Sequence, residues 1–102
     1  MGEAKVSLDC FLKIDAENVV SRDLEGEAVI LDLKSGTYMG LNRIGTRIWA
    51  LVQGHGSLRK VFEELQKEYE VSPAVLEADL LQLVDQLLAN GLVSLKAGEE
   101  RK

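Results

Sequence analysis

The hydrophobic pattern of the chain changes its period at Asn42, and this change limits the possible folds more than any other feature. Before Asn42, short β-branched and apolar runs alternate with turn residues, which is typical of strands. After Asn42, apolar residues recur every three or four positions, which is typical of amphipathic helices. A chain with this order forms a sheet first and then packs helices on it, so the sequence predicts an α+β fold.

The segment before Asn42 predicts three strands joined by two tight turns. The strands are expected at residues 19–24, 28–33 and 37–41, and the turns at residues 25–27 and 34–36. Two short connections in succession favour an antiparallel meander, because each one reverses the direction of the chain.

The segment after Asn42 predicts three helices. Asn42, Ser57 and Ser72 are residue types that cap helix N-termini, and Gly91 is suited to end the third helix. A small meander cannot bury its apolar face alone, so we expect the helices to pack on one side of it in a winged-helix-like arrangement. Residues 92–95 also fit a short closing strand.

The length of 102 residues allows one domain. We expect residues 1–18 to form an N-terminal arm, with an extended segment at residues 7–14. Residues 19–95 are then the folded domain, and residues 96–102 form a charged tail. No apolar run reaches the roughly 18 residues that a membrane span needs, and no signal peptide is evident. The expectation is a reduced, soluble, cytoplasmic protein.

The sequence offers little material for catalysis or for a metal site. Cys10 is the single cysteine and His55 the single histidine, so an internal disulfide and multi-histidine or multi-cysteine metal sites are excluded. His55 lies between two glycines in a predicted turn, without the surroundings of a catalytic triad. We therefore expect a protein that is not an enzyme and that carries no cofactor.

The third predicted strand, residues 37–41, lies at an edge of the meander. It contains neither lysine nor proline, the residues that commonly protect an edge from pairing with foreign strands. An unprotected edge allows β-strand addition, in which the backbone provides affinity and side chains such as Tyr38 and Met39 provide selectivity. Two alternatives stay open: the N-terminal arm covers the edge, or a second copy of the chain pairs with it as a homodimer.

The third predicted helix has an unusually wide apolar arc. It covers roughly 160°, whereas a stripe of about 100° is enough to face a core. The arc consists of Leu76, Leu80, Leu83 and Leu87, extended sideways by Leu81, Val84 and Leu88. Either the helix packs on two sides, or part of the arc lines a groove for a partner. Asp79, Gln82 and Gln86 form a polar edge beside Leu83.

Residues 26–42, GEAVILDLKSGTYMGLN, resemble the sheet segment of the PqqD-like proteins, which serve pyrroloquinoline quinone biosynthesis and related peptide-modifying pathways. The resemblance continues through residues 45–51, GTRIWAL, close to the family signature LN-x-x-G-x-x-IW-x-L. Asp79-Leu80 and the spacing of Leu87 to Gly91-Leu92-Val93 are similar to the family's third-helix pattern. In total the resemblance covers residues 19–95.

This resemblance implies a winged-helix-like module, the RiPP precursor peptide recognition element. Such modules bind the leader segment of a ribosomally made peptide and present it to a modifying enzyme, often a radical SAM maturase. The leader is held as a strand added to the third strand, against the third helix. By position, the implied peptide-binding residues are Thr37, Tyr38, Met39, Gly40, Leu41, Asp79, Gln82, Leu83 and Gln86. Asn42, Gly45, Ile48 and Trp49 also match the signature, and we interpret them as cap and core.

Two other function classes remain open at this point. A winged-helix DNA-binding protein would present lysine and arginine on its second or third helix. The third predicted helix contains neither, and the basic residues of the second are offset by glutamates. The net charge of −5, from 17 acidic and 12 basic residues, also opposes nucleic-acid binding. The other class is an oligomerisation module in which strands are exchanged between copies.

Overall fold

The computed structural model describes residues 6–96, and the rest of the predicted arm and tail lies outside them. Three antiparallel strands followed by three helices confirm the predicted α+β class and the order of its elements. Short strands at either end of the described chain pair with each other. The elements are β1 Phe11–Lys13, β2 Val19–Leu24, β3 Glu27–Asp32, β4 Tyr38–Gly40, α1 Arg43–His55, α2 Leu58–Glu68, α3 Pro73–Ala89 and β5 Ser94–Lys96.

The central sheet has the strand order β2-β3-β4, so β3 lies in the middle. At the β2–β3 turn, Glu25 and Gly26 adopt positive φ angles of 61° and 89°. The Asp23 carboxylate accepts a hydrogen bond from the Gly26 N–H at 2.7 Å. Because Ile30 lies opposite Met39 and Leu31 opposite Tyr38, the register separates a face towards the helices from an outer face.

The core lies between the inner face of this sheet and the three helices. Ile30 from β3, Ile48 from α1 and Leu80 from α3 are almost completely buried in it. Trp49 is also buried, and its indole N–H donates a hydrogen bond to the Ser21 hydroxyl on β2 at 3.1 Å. The interpretation of Ile48 and Trp49 as core residues is therefore confirmed.

The N-terminal segment packs at the connection between α1 and α2 and against β5, and it does not pair with β4. β1, which falls within the predicted extended segment, pairs with β5 in antiparallel register. The Leu12 N–H donates to the Gly56 carbonyl at 2.8 Å, and the Leu58 N–H donates to the Cys10 carbonyl at 3.1 Å. Leu8 and Leu12 are buried in the same core as the helices. The segment thus contributes apolar surface to the domain.

We expect Leu12→Ala to lower the free energy of unfolding by about 2–4 kcal/mol, because it removes a buried leucine and leaves a cavity. Urea denaturation followed by tryptophan fluorescence measures this change. The matched control is Lys13→Ala, since Lys13 is the exposed neighbour on the same strand and should alter stability by less than about 0.5 kcal/mol. Equal stabilities of both variants and the parent would show that β1 does not contribute to the core.

Candidate functional site

The β3–β4 turn determines where β4 lies. The Asp32 carboxylate accepts hydrogen bonds from the Lys34 N–H and the Ser35 hydroxyl, both at 3.0 Å. Gly36 adopts a φ of 77°, in the left-handed region that favours glycine, and its N–H donates to the Asp32 carbonyl. These hydrogen bonds stabilise the turn, and the turn determines the register in which β4 pairs with β3.

β4 presents an open backbone edge. Its neighbours Thr37 and Leu41 bond to β3: the Asp32 N–H donates to the Thr37 carbonyl, and the Leu41 N–H donates to the Ala28 carbonyl, both at 2.8 Å. Because backbone groups alternate in direction along a strand, Tyr38 and Gly40 direct their N–H and C=O groups away from β3. No strand within residues 6–96 pairs with this side of β4, and the described part of the N-terminal segment pairs with β5 instead.

The start of α1 is attached firmly to the end of β4. The Asn42 side chain accepts a hydrogen bond from the Gly45 N–H at 2.8 Å, which confirms Asn42 as the N-cap. The Thr46 hydroxyl accepts from the Ala28 N–H at 2.8 Å and so joins α1 to β3. A Cβ at Gly45 would lie only 3.2 Å from Asn42 Oδ1, so the close turn between β4 and α1 favours glycine there.

A groove with a volume of about 360 Å³ lies between β4, the start of α1 and one flank of α3; we call it the β4–α3 groove. Met39, Ile44 and Leu83 provide half-buried apolar surface. Asp79 is the one charged residue among the lining side chains in this described part of the chain. The full lining consists of Met39, Gly40, Leu41, Asn42, Ile44, Gly45, Ile48, Asp79, Gln82, Leu83 and Gln86.

The orientation of α3 explains its wide apolar arc. Leu76, Leu80, Val84 and Leu87 are buried, so the centre of the arc faces the core. Leu83 was expected in this central stripe, but it is half-buried on one flank, next to Asp79, Gln82 and Gln86. Both Leu83 and Val84 fit the spacing of a helical stripe, and the packing of α3 against α1 and α2 places Val84, rather than Leu83, in the core. The same helix thus contributes to the core and to the groove.

Seven of the nine predicted peptide-binding residues line the groove. They are the three from Met39 to Leu41 and the four on α3. Thr37 lies just before β4, where its hydroxyl oxygen lies 2.9 Å from the Ser35 hydroxyl oxygen. Tyr38 lies on the outer face and is 73% exposed.

Four further lining residues were not nominated for peptide binding. They are Ile44 on α1 and the residues Asn42, Gly45 and Ile48, which were interpreted as cap and core. Ile44 and Ile48 are four residues apart on a helix that begins directly after the edge strand. That spacing is the sequence signal that could have placed them at the groove.

Neither a metal-binding cluster nor a membrane-spanning helix occurs among the described residues. Among residues 6–96, no cluster of three or more histidine, cysteine, aspartate or glutamate side chains is arranged to hold a metal ion. The helices described here are too short or too polar to traverse a bilayer.

Comparisons with known proteins agree with this geometry. The family model described as Coenzyme PQQ synthesis protein D (PqqD) matches residues 27–93. The solved structure "TbiB1 in Complex with the TbiA(beta) Leader Peptide" is similar, with a TM-score of 0.73 and 32% sequence identity. The alignment covers 86% of this chain and 99% of that one. A search of curated proteins found no significant match. Since the family model spans more than half of the 102 residues, the chain belongs to the PqqD family.

Proposed function

We propose that this protein binds the leader segment of a ribosomally made precursor peptide and presents the peptide to a modifying enzyme. The observation that carries the proposal is the open edge of β4 directly beside the β4–α3 groove. A peptide strand placed there gains backbone hydrogen bonds and side-chain contacts together, as β-strand addition requires. The similar TbiB1 structure contains a leader peptide, which supports the same class of ligand here.

The backbone of β4 provides the affinity that is independent of peptide sequence. Tyr38 and Gly40 each offer an N–H and a C=O to an incoming strand, since Thr37 and Leu41 bond to β3. These groups already lie in an extended strand whose position the Asp32 turn determines. Little ordering of the protein is therefore needed for binding, which favours affinity.

The groove provides selectivity. A peptide side chain that points inward from the added strand meets Met39 on one side and Leu83 on the other. An apolar side chain is favoured there, because it buries apolar surface against both residues. Asp79 at the rim favours a basic neighbour, and Gln82 can orient the peptide through hydrogen bonds.

This role requires binding and presentation but no chemistry by the chain itself. The resemblance of the sequence favours a radical SAM maturase as the enzyme that receives the peptide. We expect no cofactor to be needed for leader binding, because the proposed contacts are backbone hydrogen bonds and side-chain packing.

A DNA-binding role has weaker support. α3 contains no lysine or arginine, and the charged lining residue of the groove is acidic. Arg47 on α1 donates hydrogen bonds to Glu68, which lower the pKa of that carboxyl and raise the pKa of the guanidinium. Arg59 on α2 is paired with Asp9 at 2.7 Å. Both arginines therefore have a carboxylate partner, whereas contacts to DNA phosphates favour arginines that have none.

The proposal is tested by fluorescence anisotropy with a labelled synthetic leader, taken from a precursor peptide encoded beside the gene. We expect saturable binding to the parent protein, which an unlabelled copy of the same leader competes away and a scrambled leader does not. A labelled DNA duplex at low salt is the comparison ligand. Binding of the duplex without binding of the leader would overturn the proposal and favour the DNA-binding alternative.

Light scattering on the same samples reports the oligomeric state. We expect the free edge of β4 to be available in a monomer. An obligate dimer that binds no leader would contradict the proposal and favour edge pairing between copies instead.

A further inference from the structure

Gly40 lies in the interior of β4, where the fold itself does not need a glycine. Its φ is not among the positive values of the glycines in the structure, and a Cβ placed on it would meet nothing within 4 Å. Glycine in a strand interior weakens the strand, because it increases the conformational entropy of the unfolded chain and has no side chain that could pack. A glycine with neither a conformational nor a steric reason often marks the close approach of a ligand or another backbone.

A shallow depression of about 400 Å³ adjoins Gly40 on the outer face of the sheet. Val29 lies directly opposite Gly40 on β3, and Leu24 at the end of β2 forms a further wall. Leu24 is 53% exposed, so its apolar side chain is only partly covered by this chain. The missing side chain of Gly40 therefore leaves a recess beside the open edge that is mainly apolar, with Glu27 and Asn42 completing its lining.

The same edge thus has a cavity on each face of the sheet. Gly40 and Leu41 line both the β4–α3 groove and the outer depression. Side chains along an added strand point alternately to the two faces, and residues directly opposite each other share a face. The peptide residue opposite Met39 consequently points into the groove. The residue opposite Gly40 points outward, over the depression, whether the peptide runs parallel or antiparallel.

We propose that the bound leader is recognised on both faces of the sheet, and that the outer depression at Gly40 is a second subsite for a bulky apolar side chain. This inference rests on the proposed leader binding. Within the leader, the outer side chain and the groove-bound side chain belong to adjacent residues. The exposed ring of Tyr38 borders the next outward position, two residues away along the peptide.

A size-exchange experiment tests the subsite. Gly40→Val places a branched side chain in the depression without removing a backbone donor, and the open surroundings predict that the variant folds with equal or higher stability. We expect the variant to bind the parent leader at least about fivefold more weakly, because overpacking costs about 1 kcal/mol or more. A series of leaders with single alanine substitutions is then titrated into the parent and Gly40→Val proteins. The leader whose outer side chain is replaced by alanine no longer needs the depression. We expect it to bind Gly40→Val within about twofold of its affinity for the parent protein.

The results that would contradict the outer subsite differ from the result that would contradict leader binding. Unchanged binding of the parent leader to Gly40→Val would overturn the outer subsite while leaving leader binding intact. Weak binding of every leader in the series to Gly40→Val would also overturn it, since no single side chain would then occupy the depression. A parent protein that binds none of the leaders would instead overturn the proposed function. Thermal unfolding of Gly40→Val, with Gly40→Ala as a graded comparison, verifies the fold.

Discussion

Replacement of Tyr38 by proline is expected to reduce leader binding at least about tenfold, because it removes a backbone donor and places a ring at the edge. The Tyr38 N–H points away from β3, so no hydrogen bond of the sheet is lost. Proline is tolerated on edge strands for this reason. Anisotropy titration of the labelled leader measures the loss, and circular dichroism verifies that the variant remains folded.

Tyr38→Ala is the matched control, since it removes the exposed ring but keeps the N–H. We expect a weakening of only about twofold to fivefold, which corresponds to the modest energy of one cross-strand side-chain pair. A leader that binds Tyr38→Pro as tightly as the parent protein would rule out β-strand addition at this edge.

Replacement of Leu83 by glutamate is the second prediction with a large effect. Leu83 lines the groove from α3, and the new carboxylate would lie four residues after Asp79 on the same helix. An apolar leader side chain in the groove would then desolvate an unpaired charge, which costs more than a lost apolar contact. We expect the affinity for the leader to fall at least about tenfold, as measured by isothermal titration calorimetry.

Leu81→Glu provides a control of matched chemistry. Leu81 is also half-buried on α3, but it does not line the groove, so both variants carry a comparable cost to stability. We expect Leu81→Glu to bind the leader like the parent protein. Equal losses in the two variants would indicate damage to the helix rather than to the groove, and would contradict the assignment of Leu83 to the site.

The open edge was predictable because it depends on local sequence. Turn residues at 34–36 and the absence of lysine and proline at residues 37–41 both lie within a few positions of the strand. The structure reports β4 as Tyr38–Gly40, and Thr37 and Leu41 still bond to β3 on either side of it. Short-range signals therefore located the strand to within one residue at each end.

The outer depression was not predictable in the same way. It forms where Gly40 lies opposite Val29 and near Leu24, which are 11 and 16 positions away in the chain. A glycine in a strand pattern indicates a bulge, a bend or a close approach, and the sequence does not distinguish among them. Only the tertiary structure places Val29 opposite Gly40 and leaves the space around a Cβ at Gly40 open.

The sequence by itself determined the order of strands and helices, the N-cap of α1 and the width of the apolar arc on α3. These properties depend on residues that are close in the chain, so periodicity and turn chemistry are enough to predict them. Only the tertiary structure decided that Leu83 faces the groove while Val84 faces the core, and that β1 pairs with β5 rather than with β4. The physical reason is that both results depend on packing between segments far apart in sequence, where the competing arrangements bury similar apolar residues.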